Sequence, residues 1–164
     1  QFATTYPDDT IEKLIVADIA PKYYPPHHQE IINALLTLNF DLIKSRSDAD
    51  RTLAEQLSDF GIRQFLLKNL YWKEKKQLGF RFNLSALKDK MEEIGEGIDP
   101  MSSYTGPTLF LRGEHSEYIL PNDTENIMKN FPNAKIETVS GAGHWLHAEK
   151  PKEFLTKSLN FINQ

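Results

Sequence analysis

Three short apolar runs, each stopped by turn residues and divided from the next by other structure, constrain this chain more than any other feature. The first, Ile11-Glu12-Lys13-Leu14-Ile15-Val16-Ala17-Asp18, follows a turn-like Pro7-Asp8-Asp9 and ends at Asp18, beyond which Pro21 blocks simple continuation. The second, Pro107-Thr108-Leu109-Phe110-Leu111-Arg112, is closed by Gly113. The third, Ala134-Lys135-Ile136-Glu137-Thr138-Val139, is closed by Gly141 and Gly143. Runs this short and rich in β-branched residues fit strands covered on both faces. Between the second and third lies a helix over 121–130 with Pro121 near its first turn, and after the third a helix over 151–163 places Phe154, Leu155, Leu159 and Ile162 on one stripe. Strand and helix in alternation specify an α/β architecture, a parallel sheet with helical crossovers.

The first two runs are separated by residues 22–105, far more than the roughly 2–6 of an ordinary αβ connection. This stretch is not of low complexity. A helix fits 28–38 on Ile31, Ile32, Leu35 and Leu36, a second follows the capping stretch Ser45-Arg46-Ser47-Asp48, and a third over 60–70 carries Phe65, Leu66 and Leu70. Phe80-Arg81-Phe82 reads as extended, and Asn83 as the cap of a helix over about 84–94. The expectation is a three-part chain: 1–21, 22–105 as a helical lid insertion, and 106–164 as the remainder of the sheet.

Composition narrows the function classes. Against 19 Lys and Arg stand 23 Asp and Glu, a net charge of −4, which leaves no electrostatic footprint for nucleic acid. The dense basic run Lys73-Glu74-Lys75-Lys76 reads as a solvated turn. With no cysteine, disulfides, thiolate metal sites and a Cys nucleophile are excluded, in keeping with a reducing, cytoplasmic setting. No apolar run approaches the roughly 18 residues of a membrane span. The chain opens Gln1-Phe2-Ala3-Thr4-Thr5-Tyr6 with neither Met nor a signal pattern, and reads as the last turns of a helix that starts further upstream.

Chemistry concentrates in Ser140-Gly141-Ala142-Gly143-His144-Trp145, where a strand runs into a small-residue loop that presents a histidine beyond the strand's carboxyl end. Ligand chemistry on open α/β sheets sits at that end, and a His there suits a general base because its pKa lies near neutrality. A loop His bonded to a nearby backbone group is the plainer alternative. A catalytic His needs an orienting carboxylate. Asp18 stands at the same sheet edge, with Glu114, Glu117 and Asp123 after the second run as rivals. His27 and His28 lack the further ligands a metal site requires and read as polar residues of the insertion's loop. His147 is expected to make a structural hydrogen bond near the last helix. Asn83-Leu84-Ser85 and Asn122-Asp123-Thr124 match a glycosylation sequon by chance.

The order strand-Asp, helical insertion, strand, helix, strand, Gly-x-Gly-His-Trp, helix resembles the C-terminal part of an α/β-hydrolase. Ala17-Asp18-Ile19-Ala20-Pro21, Gln64-Phe65-Leu66-Leu67-Lys68-Asn69-Leu70, Phe80-Arg81-Phe82-Asn83-Leu84 and Gly143-His144-Trp145-Leu146-His147-Ala148-Glu149-Lys150-Pro151 are similar to the YbfF-like esterases, hydrolases of acyl esters and thioesters. The resemblance implies that His144 is the catalytic His. Most α/β-hydrolases carry the acid after the strand equivalent to 107–112. Here Ser116 occupies that place, and the resemblance to the YbfF-like group points instead to Asp18. It implies neither metal nor organic cofactor. The family nucleophile is a Ser in Gly-x-Ser-x-Gly on a strand-to-helix turn. No such motif occurs in this chain, Gly113-Glu114-His115-Ser116-Glu117 being the nearest string.

The nucleophile-bearing N-terminal part is therefore expected to be absent, and the chain alone to be inactive as an esterase. A dehalogenase or carbon–carbon hydrolase of the same fold, or a non-catalytic binding protein, are the competing readings. Tyr23 and Phe65 are expected to line an acyl channel, with Ser116, Tyr118 and Trp145 also at the substrate pocket, although Trp145 also suits a place beneath the loop and Tyr118 a covering role. In the family sheet these three strands are consecutive at one edge, so the strand over 11–18 would lack its inner neighbour. A missing half or a second copy is expected to cover it.

Overall fold

The computed structural model describes every residue except Pro7 and His27, so the turn expected at Pro7 and the reading of His27 lie outside the described residues. In chain order the regular elements are α1 (Phe2–Thr5), β1 (Leu14–Ala17), α2 (Gln29–Leu36), α3 (Arg46–Ala54), α4 (Phe60–Leu67), β2 (Leu70–Glu74), β3 (Gln77–Phe80), α5 (Leu84–Asp89), α6 (Met91–Ile94), β4 (Thr108–Gly113), α7 (Thr124–Asn130), β5 (Ala134–Val139), α8 (Leu146–Glu149) and α9 (Pro151–Ile162). They fall into two compact units, Gln1–Tyr23 with Glu96–Gln164, and Tyr24–Gly95.

The first unit is built on a three-stranded parallel sheet of order β1-β4-β5. β4 is the middle strand, and its alternation shows why a continuous apolar run is needed there. Phe110 enters a core with Tyr104, Ile119, Ile127 and Phe131, whereas Leu109 and Leu111 enter another with Val139, Ala142, Leu146 and Phe161. α7 thus supplies Ile127 to one of these cores and α9 supplies Phe161 to the other. Pro121 opens a short 3-10 turn, Pro121–Asp123, that leads directly into α7. The carbonyls of Phe161 and Ile162 accept from Lys13 Nζ at 3.3 and 2.6 Å, a cation at a helix C-terminus where the orphan carbonyls favour it. β1 pairs with β4 on one side only among the described residues, and Leu14, Ile15 and Val16 are half-buried, in contrast to the buried run Thr108–Leu111.

The second unit has its own core of Leu35, Leu38, Ile43, Leu53, Leu57, Leu67, Leu70 and Leu78. Ser45 caps α3, Asp59 caps α4 and Asn83 caps α5, each side chain accepting the backbone N–H three residues on. Two expectations change here. The helix expected over 60–70 stops at Leu67, because Leu70-Tyr71-Trp72 enters an antiparallel hairpin with β3. Its aromatic residues suit a strand, and the basic run read as a turn does contain the reversal, with Lys76 at φ 70°. The helix expected over 84–94 is two helices, broken at Lys90 with φ −115° and ψ 19°.

Candidate functional site

The parallel register sets the site. Ala17 pairs with Leu111 and Val139 with Gly113, so the chain leaves β1 and β5 at the same carboxyl edge on either side of β4. Asp18 extends the ladder by one bond, its N–H donating to Leu111 O at 2.8 Å, and then turns into the left-handed region at φ 52°. Asp is among the few non-glycine types that occupy this region readily. The carboxylate is wholly buried. A buried charge needs donors, and three are supplied. Gly113 N–H donates to Oδ1 at 2.9 Å, the Ser116 hydroxyl donates to Oδ2, and His144 Nδ1 stands 2.8 Å from the same Oδ2.

The loop that carries His144 is fixed from below. Gly141 takes φ +64°, and its N–H donates to Glu114 Oε2 at 2.7 Å. Glu149 on α8 reaches back to accept from Gly143 N–H at 2.8 Å and Trp145 N–H at 3.2 Å. Ala142 is buried among the apolar residues of the sheet. The end of β4 lies so close that a Cβ on Gly113 would sit 2.2 Å from Gly143 O, so only glycine fits there. The His144 side chain keeps 42 % of its surface exposed. With Nδ1–H donating to the carboxylate, the neutral ring carries its lone pair on Nε2, the arrangement a general base requires.

Tyr118 covers one face of that imidazole, ring centroids 3.8 Å apart and planes 16° from parallel. Burial raises the Tyr118 pKa above its ordinary value, and the nearby Asp18 charge raises it further. Of the expected site residues, Asp18, Ser116, Tyr118 and His144 therefore meet, with Trp145 next in chain and half-buried. Tyr23, 60 % exposed, lines a separate hollow of about 280 Å³ with Ile98, Pro100, Asn126 and Lys129. Phe65 lies on α4 in the second unit.

Among the rival acids, Glu114 is the acceptor for Gly141. Asp123 pairs with Lys22 Nζ at 2.6 Å and accepts from Leu120 N–H, while Glu117 is exposed. His147, expected to make a hydrogen bond, meets Phe154 edge-on, centroids 6.2 Å apart. Glu149 was not legible as a site residue. Its signal was an acidic residue one helical turn after the glycine loop, where freed loop amides need an acceptor. Among the described residues no group of three or more His, Asp or Glu is placed to hold a metal ion, and no helix is long and apolar enough to cross a membrane.

No model of a protein family matches the chain. It is 35% identical over 160 residues to the sn-1-specific diacylglycerol lipase ABHD11 of Mus musculus, covering 94% of this chain and 52% of that protein. It is 32% identical over 161 residues to Esterase YbfF of Escherichia coli (strain K12), covering 98% and 61%. A solved marine microorganism esterase superposes with a TM-score of 0.90 at 38% identity, covering 98% of this chain and 64% of that one. The chain thus spans about half to three-fifths of the length of these curated relatives.

Proposed function

Starting from the fact that this chain is a homologue of the YbfF and ABHD11 esterases and lipases and has the fold of the C-terminal part of an α/β-hydrolase, we propose that it supplies the base and the acid of a Ser-His-Asp carboxylic-ester hydrolase. The 2.8 Å contact between His144 Nδ1 and the buried Asp18 carboxylate carries this reading. A serine outside these 164 residues attacks the acyl carbonyl, and His144 Nε2 takes its proton. His144 then delivers that proton to the departing alcohol or thiol. Asp18 holds the Nδ1–H tautomer and stabilises the imidazolium. Water, deprotonated through His144, next attacks the acyl-enzyme, and the carboxylic acid and the serine hydroxyl are released. No step calls for a metal or an organic cofactor.

Three further elements belong to the same proposal. The segment that carries the serine pairs with the open edge of β1, whose half-buried Leu14-Ile15-Val16 is the composition of an inner strand. The mainly helical insertion over 22–105 serves as a lid. The enzyme acts in the cytoplasm, in keeping with a chain that contains no cysteine.

The test is hydrolysis of a short-chain nitrophenyl ester by the chain alone and by the chain joined to an upstream half carrying Gly-x-Ser-x-Gly. Turnover is expected only from the joined protein, and it is expected to fall by about 10⁴ or more on His144→Ala. Turnover by the chain alone that survives His144→Ala refutes the mechanism.

A further inference from the structure

The hydrogen bond from His144 to Asp18 leaves one motion of the imidazole free. A single contact through Nδ1 fixes one edge of the ring but permits the plane to rock about the Nδ1···Oδ2 line. The ring of Tyr118 lies across that motion, 3.8 Å away and 16° from parallel. Its own place is set by the groups that hold the acid. Tyr118 N–H donates to Ser116 Oγ at 3.2 Å, and that hydroxyl donates in turn to Asp18 Oδ2. Ile119, the next residue, is anchored in the sheet core at 3 % exposure. One short segment after β4 therefore grips both the carboxylate and the imidazole face.

We propose that Tyr118 is a positioning residue for His144, fixing the plane of the imidazole with the face of the phenol ring. This rests on His144 being the base of the reaction proposed above, but its test does not require turnover.

The experiment follows the Hε1 resonance of His144 by NMR at one fixed pH in the full chain, with Tyr118→Phe and Tyr118→Leu beside it. In the wild type, His144 Hε1 is expected to be displaced by the Tyr118 ring current and to show a nuclear Overhauser contact with the Tyr118 ring protons. Tyr118→Phe is expected to keep the ring-current shift, and Tyr118→Leu to abolish it.

A wild-type spectrum without the ring-current displacement and the Overhauser contact overturns the proposal, and this needs no variant to fold. Tyr118→Phe behaving like Tyr118→Leu also overturns it, because the effect would then lie in the hydroxyl. In a protein that carries the serine, Tyr118→Leu is expected to lower kcat with KM unchanged and Tyr118→Phe to retain it, and an unchanged kcat in Tyr118→Leu overturns the proposal. If the NMR results hold and no ester is turned over by the joined wild type, the hydrolase reading fails while the contact between Tyr118 and His144 stands.

Discussion

Asp18 is a carboxylate removed from water and held by three donors on three different segments: the end of β4, the loop after it, and the loop after β5. Each donor is a hydrogen bond to a charged group, worth about 1.5–3 kcal/mol net. Ser116→Ala removes one of them without opening the space to solvent. It is expected to cost about 1.5 kcal/mol in urea unfolding, and in a protein that carries the serine to lower kcat while leaving KM in place.

Tyr118 gives the pH dependence at this scale. Its pKa is raised above 10.0, first by burial and then by the Asp18 charge. Below pH 10 the phenol is protonated in both the folded and the unfolded chain, and its contribution to stability is complete. Above that, the unfolded chain ionises first, so stability falls as pH rises through the folded-state value. Urea midpoints measured upward from pH 9 are expected to decline, and Tyr118→Phe to remove its share of that decline.

Asp18 and His144 were legible as candidates because each closes an apolar run at the same sheet edge. Ser116 was legible as a pocket residue, but the bonds of its hydroxyl and of the Gly113 amide to Asp18 were not, because they depend on the exact register that pairs Ala17 with Leu111.

At the scale of elements, the glycine loop after β5 owes its shape to a helix of one turn. α8 places the Glu149 carboxylate where Gly143 and Trp145 amides would otherwise lack acceptors. Glu149→Ala is expected to raise hydrogen exchange at Gly143 and Trp145 about tenfold, one charged hydrogen bond's worth, while the amides of β4 stay protected. Unchanged exchange at both amides would show that the loop holds itself.

The three parallel strands and α7 and α9 were readable because Pro, Gly and apolar periodicity agree at each of them. The hairpin over 70–80 was not. Leu66, Leu67 and Leu70 continue a helical spacing, and the switch to a strand is decided by the burial of Leu70 and Leu78 in the second unit's core. Tertiary packing outweighed a local pattern of nearly equal strength.

Across the whole molecule, two cores of different kinds are present: layers on either side of a parallel sheet, and a leucine-rich helical core over 24–95. The expectation of an insertion over 22–105 rests on the length of the connection between β1 and β4, since a plain crossover is far shorter. It does not show a nucleophile, and the chain matches its relatives over about half to three-fifths of their length. Reading the activity therefore turns on whether Asp18 and His144 work as one unit on a serine from elsewhere. Residues that act as a unit give non-additive losses, because removing the second costs little once the first is gone. A double-mutant cycle on ester hydrolysis, in a protein carrying the Gly-x-Ser-x-Gly segment, measures this directly. Asp18→Asn and His144→Ala are each expected to lower kcat by about 10⁴ or more, and the double variant to be no slower than the worse single one. Losses that multiply, or an Asp18→Asn variant that turns over like the wild type, would contradict the pairing at the centre of this account.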